Sequence, residues 1–203
     1  MSEKPFLFAI NGSPRPQGNT ETLLDSFLSG AERAGADIEK INAANLKISP
    51  CLNCGGCDKT GQCVVQDAMQ SLYPKLLAAD LLVLASPLFF MGPTAQIKAV
   101  IDRTQALWTG KYLLGADYSK GKRPRWGFLI GVGATKGEKV FNPLQTIAKT
   151  WFRTLDAAES GDLLIAGVDE KGAIAQGEYL AMATEAGYDL VKKWQKKEAE
   201  LNS

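Results

Sequence analysis

Phe6-Leu7-Phe8-Ala9-Ile10-Asn11-Gly12-Ser13-Pro14 decides the fold: five consecutive apolar residues run straight into a turn of Asn, Gly, Ser and Pro. A strand with one wet face alternates apolar and polar residues, whereas this run is apolar at every position, as a strand buried on both faces of a parallel sheet must be. The next segment is helical. Leu23, Leu24, Phe27, Leu28 and Ala31 recur at helical spacing, with Asn19 or Thr20 placed to cap the N-terminus.

The same unit of strand, loop and helix returns downstream. Leu81 to Ala85 is a second apolar run, Ser86 to Pro93 a loop, and Ile97, Val100, Ile101, Thr104 and Trp108 a helical stripe. Phe128 to Val132 is a third, followed by the loop Gly133 to Gly137 and the stripe Phe141, Leu144, Ala148, Trp151 and Leu155. Asp162 to Ala166 supplies another strand, and Tyr179, Met182, Ala183, Ala186, Leu190 and Trp194 mark a closing helix that ends in the solvated, basic tail Lys192 to Glu198. Ile38 to Ile41 is a weaker strand, and Met69, Leu72, Tyr73, Leu76 and Leu77 form the helix before Leu81. Five strands apolar on both faces, alternating with five helices, predict an α/β fold: a doubly wound five-stranded parallel sheet of order 2-1-3-4-5 with helices on both faces. Its ligand crevice lies at the carboxyl ends of the strands, where the loops Gly12–Thr20, Ser86–Pro93 and Gly133–Gly137 converge.

Composition narrows the chemistry. The 203 residues read as one domain, 1–203, with a cysteine-rich insert at about 50–65. Apolar residues make up 45% and charged ones 22%, ordinary for a globular chain. Lys and Arg number 23 against 22 Asp and Glu, a net charge of +1, which argues against a nucleic-acid or membrane-surface binder because both need a sustained positive field. No histidine is present, which excludes Ser-His-Asp and Cys-His hydrolases and histidine metal sites. The N-terminus enters the first strand without an apolar signal region, and the stretch Leu76 to Phe90 is too short to span a bilayer, so the expected setting is the reducing cytoplasm. There, four cysteines confined to Cys51–Cys63 point to metal or redox chemistry rather than structural disulfides.

Four motifs carry the candidate chemistry. In Gly12-Ser13-Pro14-Arg15-Pro16-Gln17-Gly18-Asn19-Thr20, hydroxyls, an amide, an arginine and a helix N-terminus meet, which suits a phosphate monoester. The absence of Gly-Lys-Ser/Thr separates it from a nucleoside-triphosphate loop. Pro87-Leu88-Phe89-Phe90-Met91-Gly92 can lay rigid apolar surface against a flat aromatic ring. Gly133-Ala134-Thr135 fails as a dinucleotide fingerprint, since Lys136 stands where a third glycine belongs, and reads as a turn at the crevice's other edge. Cys51, Cys54, Cys57 and Cys63, with glycines between, suit an iron-sulfur cluster first, with free or redox-active thiols the next reading and zinc the last. Lys120, Lys122, Arg123 and Arg125 form a basic cluster that reads as a solvated loop or as an attraction for a phosphate.

Gly12-Ser13-Pro14-Arg15 and Gly18-Asn19-Thr20 resemble, residue by residue, the first loop of the flavodoxin-like NAD(P)H-dependent FMN reductases. The resemblance implies that Ser13, Arg15, Gly18, Asn19 and Thr20 hold the FMN phosphate. It also implies that Pro87, Leu88, Phe89, Phe90, Met91 and Gly92 meet the isoalloxazine, with Gly133, Ala134 and Thr135 on the flavin's other edge. Phe89 stands where tyrosine is common, so a hydroxyl contact is lost. The cysteine spacing is similar to the cluster motif of iron-sulfur flavoproteins, which implies a 4Fe–4S cluster at Cys51, Cys54, Cys57 and Cys63. The expected function is an FMN-dependent oxidoreductase taking hydride from NAD(P)H and passing electrons to a quinone, a flavin or a redox protein. The flavin carries the chemistry, so no side chain is assigned a catalytic role. A homodimer or homotetramer is expected, as in related flavoproteins, with the four tryptophans leaving apolar surface for an interface. The alternatives are a flavodoxin-like electron carrier, disfavoured by the balanced charge, and a cysteine-based metal or redox sensor.

Overall fold

The computed structural model describes residues 4–119, 123–137, 139–170, 172–175 and 178–202. Lys120 and Lys122 of the basic cluster lie outside the described residues. Five parallel strands, β1 (Phe6–Asn11), β2 (Asp37–Asn42), β3 (Leu81–Pro87), β4 (Trp126–Gly133) and β5 (Ala158–Ala166), pair in the order β2-β1-β3-β4-β5, as the sequence predicts. The described helices are α1 (Asn19–Arg33), α2 (Leu72–Ala78), α3 (Ala95–Arg103), α4 (Gln105–Tyr112), α5 (Asn142–Thr154) and α6 (Tyr179–Leu201).

Successive strand residues face opposite layers. Leu7 and Ala9 pack beneath α1 and α6, while Phe8 and Ile10 pack with α2, α3 and α5. Each such Leu, Ile or Phe contributes about 1.5–3 kcal/mol by leaving water. Glycines set the contact between α1 and α6. A Cβ on Gly30 would lie 1.9 Å from the Thr184 carbonyl oxygen, and one on Gly187 the same distance from that of Phe27.

Several expectations need correction. The single helix expected through Trp108 is two: Thr104 leaves helical geometry and its hydroxyl donates to the Ile101 carbonyl at 2.6 Å, and α4 starts afresh at Gln105, with Trp108 exposed. Trp151 and Trp194 are in the core, so most tryptophan surface is not available to a partner. The α6 tail is not merely solvated, because Trp194 donates to the Pro124 carbonyl at 2.6 Å and Glu198 pairs with Arg123. Nor is β5 apolar on both faces: it is an edge strand, longer than expected, bulged between Gly127 and Phe128 of its partner and exposed over its first half. The two described arginines of the basic cluster are both engaged. Arg123 pairs with Asp80 and Glu198, and the buried Arg125 donates to the carbonyls of Leu76, Ala79 and Leu155, which end α2 and α5. No described helix is long and apolar enough to cross a membrane.

Candidate functional site

The carboxyl ends of β1, β3, β4 and β5 surround one cavity of about 160 Å3. The first loop forms its floor. Asn11 is buried and its carboxamide accepts from Ser13 N at 3.0 Å while donating to Asn42 at 2.9 Å, fixing the exit of β1. Ser13 Oγ then accepts from Arg15 N at 3.2 Å, and Gly18 N donates to Arg15 O at 3.2 Å, so the chain curls back into α1. Gly12 is needed for this close course: a Cβ there would sit 2.9 Å from that of Ile97.

The cap of α1 is Gly18, not Asn19 or Thr20, and among the described residues no side chain caps it. The first helical bond at this end is Thr22 N to Gly18 O, so the N–H groups of Asn19, Thr20 and Glu21 lie ahead of the ladder at the positive end of the dipole. Glycine matters here for space rather than conformation. Its φ of −79° is ordinary, but a Cβ would stand 3.1 Å from Arg15 O and 3.5 Å from Ser13 Oγ. Arg15 is exposed on the rim. Asn19 lines the cavity while its carboxamide bonds to the loop after β5, donating to Glu170 O at 2.8 Å and accepting from Gly172 N at 2.9 Å. Glu21 accepts from Gln17 N, Lys40 and Asn42; burial alone would raise its pKa, yet these partners hold it below the usual carboxylate range.

The second loop forms the wall. Leu88 N donates to Val132 O at 2.7 Å, and Phe89 and Gly92 exchange backbone bonds at 2.9 Å each way, closing a two-residue turn. Its central residues, Phe90 (φ 48°) and Met91 (φ 65°), are both left-handed, which costs about 1–2 kcal/mol each for side chains of this kind. The turn projects Phe90 fully into solvent, with Phe89 and Met91 partly exposed. Thr94 ties wall to floor by donating to Gly12 O at 2.6 Å while capping α3.

Ser13, Arg15, Gly18, Asn19, Thr20, Pro87, Leu88, Phe89 and Ala134 all line the one cavity. Phe90, Met91 and Gly92 stand beyond it, and Thr135 is exposed outside it. Gly133 is buried, and its missing side chain lets Leu88 pack close: a Cβ would lie 3.2 Å from Leu88 Cδ2. Sequence reasoning missed Val168 and Asp169, which complete the lining. Their position just past β5, at the same sheet edge, was the available signal.

The cysteine loop sits elsewhere, on α4. Cys51, Cys57 and Cys63 are half-buried and Cys54 exposed; none is disulfide-bonded. Cys57 Sγ lies 3.8 Å from Thr109 Oγ1. Among the described residues no three Cys, His, Asp or Glu side chains draw together into a group able to hold a metal, although Cys51, Cys54, Cys57 and Cys63 all line one small cavity of about 40 Å3 beside Arg103. Arg103, another residue missed, supports the loop. It is 1% exposed and donates to Asp67 at 2.6 Å, Ser49 O at 3.0 Å and Val65 O at 3.2 Å. Burial works against charge on Arg103, but Asp67 and Cys63 more than offset it and raise its pKa. Burial would likewise raise the Asp67 carboxyl, but Arg103 and the N–H groups of Ser49 and Met69 hold it below the ordinary range. The signal for Arg103 was its place on the apolar stripe between Val100 and Leu107.

A parallel sheet of this order with an uncapped helix N-terminus at its crevice defines a flavodoxin-like protein. The chain belongs to the NADPH-dependent FMN reductase family, whose pattern residues 6–125 match. An iron-sulfur flavoprotein of Methanocaldococcus jannaschii is 33% identical over 130 residues, 64% of this chain and 63% of that protein's length. One from Methanosarcina thermophila is 35% identical over 138 residues, 68% of each chain. The chain thus spans less than two thirds of the length of the first of these relatives. The solved NAD(P)H:quinone oxidoreductase from Methanothermobacter marburgensis superposes with a TM-score of 0.73 at 14% identity, covering 93% of this chain and 96% of that one, a likeness of fold.

Proposed function

We propose that the chain binds FMN in this crevice and works as an oxidoreductase, taking hydride from NADH or NADPH and delivering electrons to a quinone, a free flavin or a protein acceptor. The observation that carries the reading is the uncapped N-terminus of α1, opening on the same cavity as Ser13, Arg15 and Thr20 and walled by Pro87–Phe89. FMN, once bound, supplies the hydride and electron chemistry. The chain's part is to hold and orient it. The N–H groups of Asn19, Thr20 and Glu21 and the hydroxyls of Ser13 and Thr20 face the phosphate, and Arg15 adds a positive charge at the rim. Pro87, Leu88 and Phe89 give the ring an apolar seat, the Phe90-Met91-Gly92 turn extends that apolar surface at the rim, and Gly133, Ala134 and Thr135 form the opposite edge.

The family match and the relatives' descriptions support this reading. A 4Fe–4S cluster at Cys51, Cys54, Cys57 and Cys63 has the support of the spacing, of the one small cavity that all four cysteines line and of relatives described as iron-sulfur flavoproteins, and the proposed hydride chemistry does not run through it. A cytoplasmic setting is proposed on the four unpaired cysteines, and a homodimer or homotetramer on the exposed Trp108, Tyr112 and Leu113 together with Phe90. The test is to saturate purified protein with FMN, remove the excess, and titrate it without oxygen with NADPH and then NADH. The expected result is stoichiometric yellow protein that bleaches with a nucleotide and recolours when a quinone is added. Protein that retains no FMN, or whose FMN neither nucleotide bleaches, overturns the reading.

A further inference from the structure

A second, larger cavity of about 550 Å3 opens between the cysteine loop, α2 and α4, and shares no lining residue with the phosphate-loop crevice. We propose that it is a binding site for an uncharged aromatic molecule of one or two rings bearing a hydroxyl or carbonyl oxygen. Its volume falls in the range of small-molecule sites. Leu77 and Leu107 supply an apolar floor, the exposed Pro74 and Leu114 an apolar rim, and the exposed Gln62 and Gln66 bring amide groups to the mouth, with Cys63 also in the lining. Among the described residues that line it there is no Asp, Glu, Lys or Arg. A charged ligand would lose its hydration there and gain no counter-charge, whereas a neutral one loses little.

Two tyrosines give the site its shape. Tyr73 is fixed by the bond from its hydroxyl to Arg103 O at 2.8 Å, which sets one ring in the wall. Tyr118 is held by its backbone, N to the Asp156 carboxylate at 3.1 Å, and its hydroxyl lies over Gly110. A Cβ on Gly110 would stand 2.1 Å from that hydroxyl, so the absence of a side chain on α4 is what admits the phenol. Gly61 (φ 67°) repeats the arrangement from the loop side, where a Cβ would lie 3.1 Å from Gly110 Cα. Burial, with the nearby Asp156 charge, raises the Tyr118 pKa and keeps the phenol a donor. The site therefore combines apolar floor, aromatic wall and neutral hydrogen-bonding groups, the set that recognises a phenol or an aryl ketone.

The inference does not rest on the flavin reading, and its test separates the two. FMN-saturated protein is titrated with 2-naphthol, followed by the fluorescence anisotropy of the probe, and with 2-naphthalenesulfonate as the charged counterpart. The expected result is one 2-naphthol per chain, with the sulfonate weaker by about tenfold or more, equivalent to roughly 1.4 kcal/mol. Ala116→Leu and Leu114→Trp, both placed to fill the cavity from its exposed segment, are each expected to weaken 2-naphthol by about tenfold, and Tyr118→Phe by roughly threefold. FMN content, read from absorbance in the same samples, should stay unchanged. Equal binding of the sulfonate, undiminished binding in both filling variants, or displacement of 2-naphthol by extra FMN would each overturn the assignment.

Discussion

The phosphate-loop crevice and the cysteine loop are built by opposite strategies. The crevice is assembled before any ligand arrives: every turn of residues 11–20 is held by the chain's own hydrogen bonds, and what remains open is the positive end of α1. In the cysteine loop no three thiols form a metal-holding group among the described residues, although all four line one small cavity, and its order comes from beneath, through the buried guanidinium of Arg103. A preorganised site spends little free energy on binding, whereas a loop that must gather four thiols spends part of its binding energy on rearrangement. The two regions should respond to different mutations.

The largest expected effect is on the loop's support. Arg103→Met leaves Asp67 without its charge partner and the Ser49 and Val65 carbonyls without a donor, and should destabilise the fold by about 3 kcal/mol. Hydrogen exchange of amides 51–65 should speed up, while FMN affinity changes less than about twofold. If FMN affinity falls in parallel, the two regions are one unit and the contrast fails. The pair also gives an acid limb. Because the Asp67 pKa is lowered on folding from its ordinary 3.8, its contribution is complete above that value and is lost as pH falls through the lowered one. Asp67→Asn should therefore cost about 1–2 kcal/mol at neutral pH, measured by urea unfolding, and the difference from the wild type should vanish in strong acid.

Next in size is a change to the crevice alone. Gly18→Val keeps an allowed backbone but places a branched side chain against Arg15 O and Ser13 Oγ, where the cradle opens. FMN affinity should fall by about a hundredfold, roughly 2.7 kcal/mol, with a smaller loss of fold stability, about 1 kcal/mol, from crowding Arg15 O. Riboflavin, which lacks the phosphate, should bind the variant and the wild type within about threefold of each other. A parallel loss of riboflavin would mean that the substitution damages the ring seat rather than the phosphate cradle.

Legibility in the sequence divides along the same line. Sheet order, the strands and the position of the crevice were readable because Phe6–Ile10 and Leu81–Ala85 must be buried on both faces, and period and length leave little choice. The first loop was readable because its small residues have few other uses between a strand and a helix. The engagement of the Asn19 carboxamide was not, since its partners Glu170 and Gly172 lie some 150 residues away and only the closed sheet brings them near. The break at Thr104 was hidden for a related reason: a threonine bonding back to a carbonyl is compatible with a helix, and the packing of α4 decides. The left-handed pair Phe90-Met91 carried no signal, because no residue type there favours that backbone. Cysteine spacing told which atoms could act together, but spacing does not fix where the sulfurs stand.

The smallest effect makes the sharpest test of what the crevice contributes. Arg15 is exposed on the rim, so its charge meets the phosphate partly through water and is screened by salt. Arg15→Ala should weaken FMN by about tenfold, roughly 1.4 kcal/mol, at low ionic strength and by less than about threefold at about 0.5 M salt. The backbone N–H groups of α1 are fixed in place and protected, so the residual affinity of the variant should depend little on salt. Measuring FMN and riboflavin binding across ionic strength in both proteins divides the phosphate interaction into a screened part from one side chain and a persistent part from the helix. If the variant keeps the wild type's full salt dependence, a cation other than Arg15 supplies the screened part of the interaction, and the division between this side chain and the helix fails.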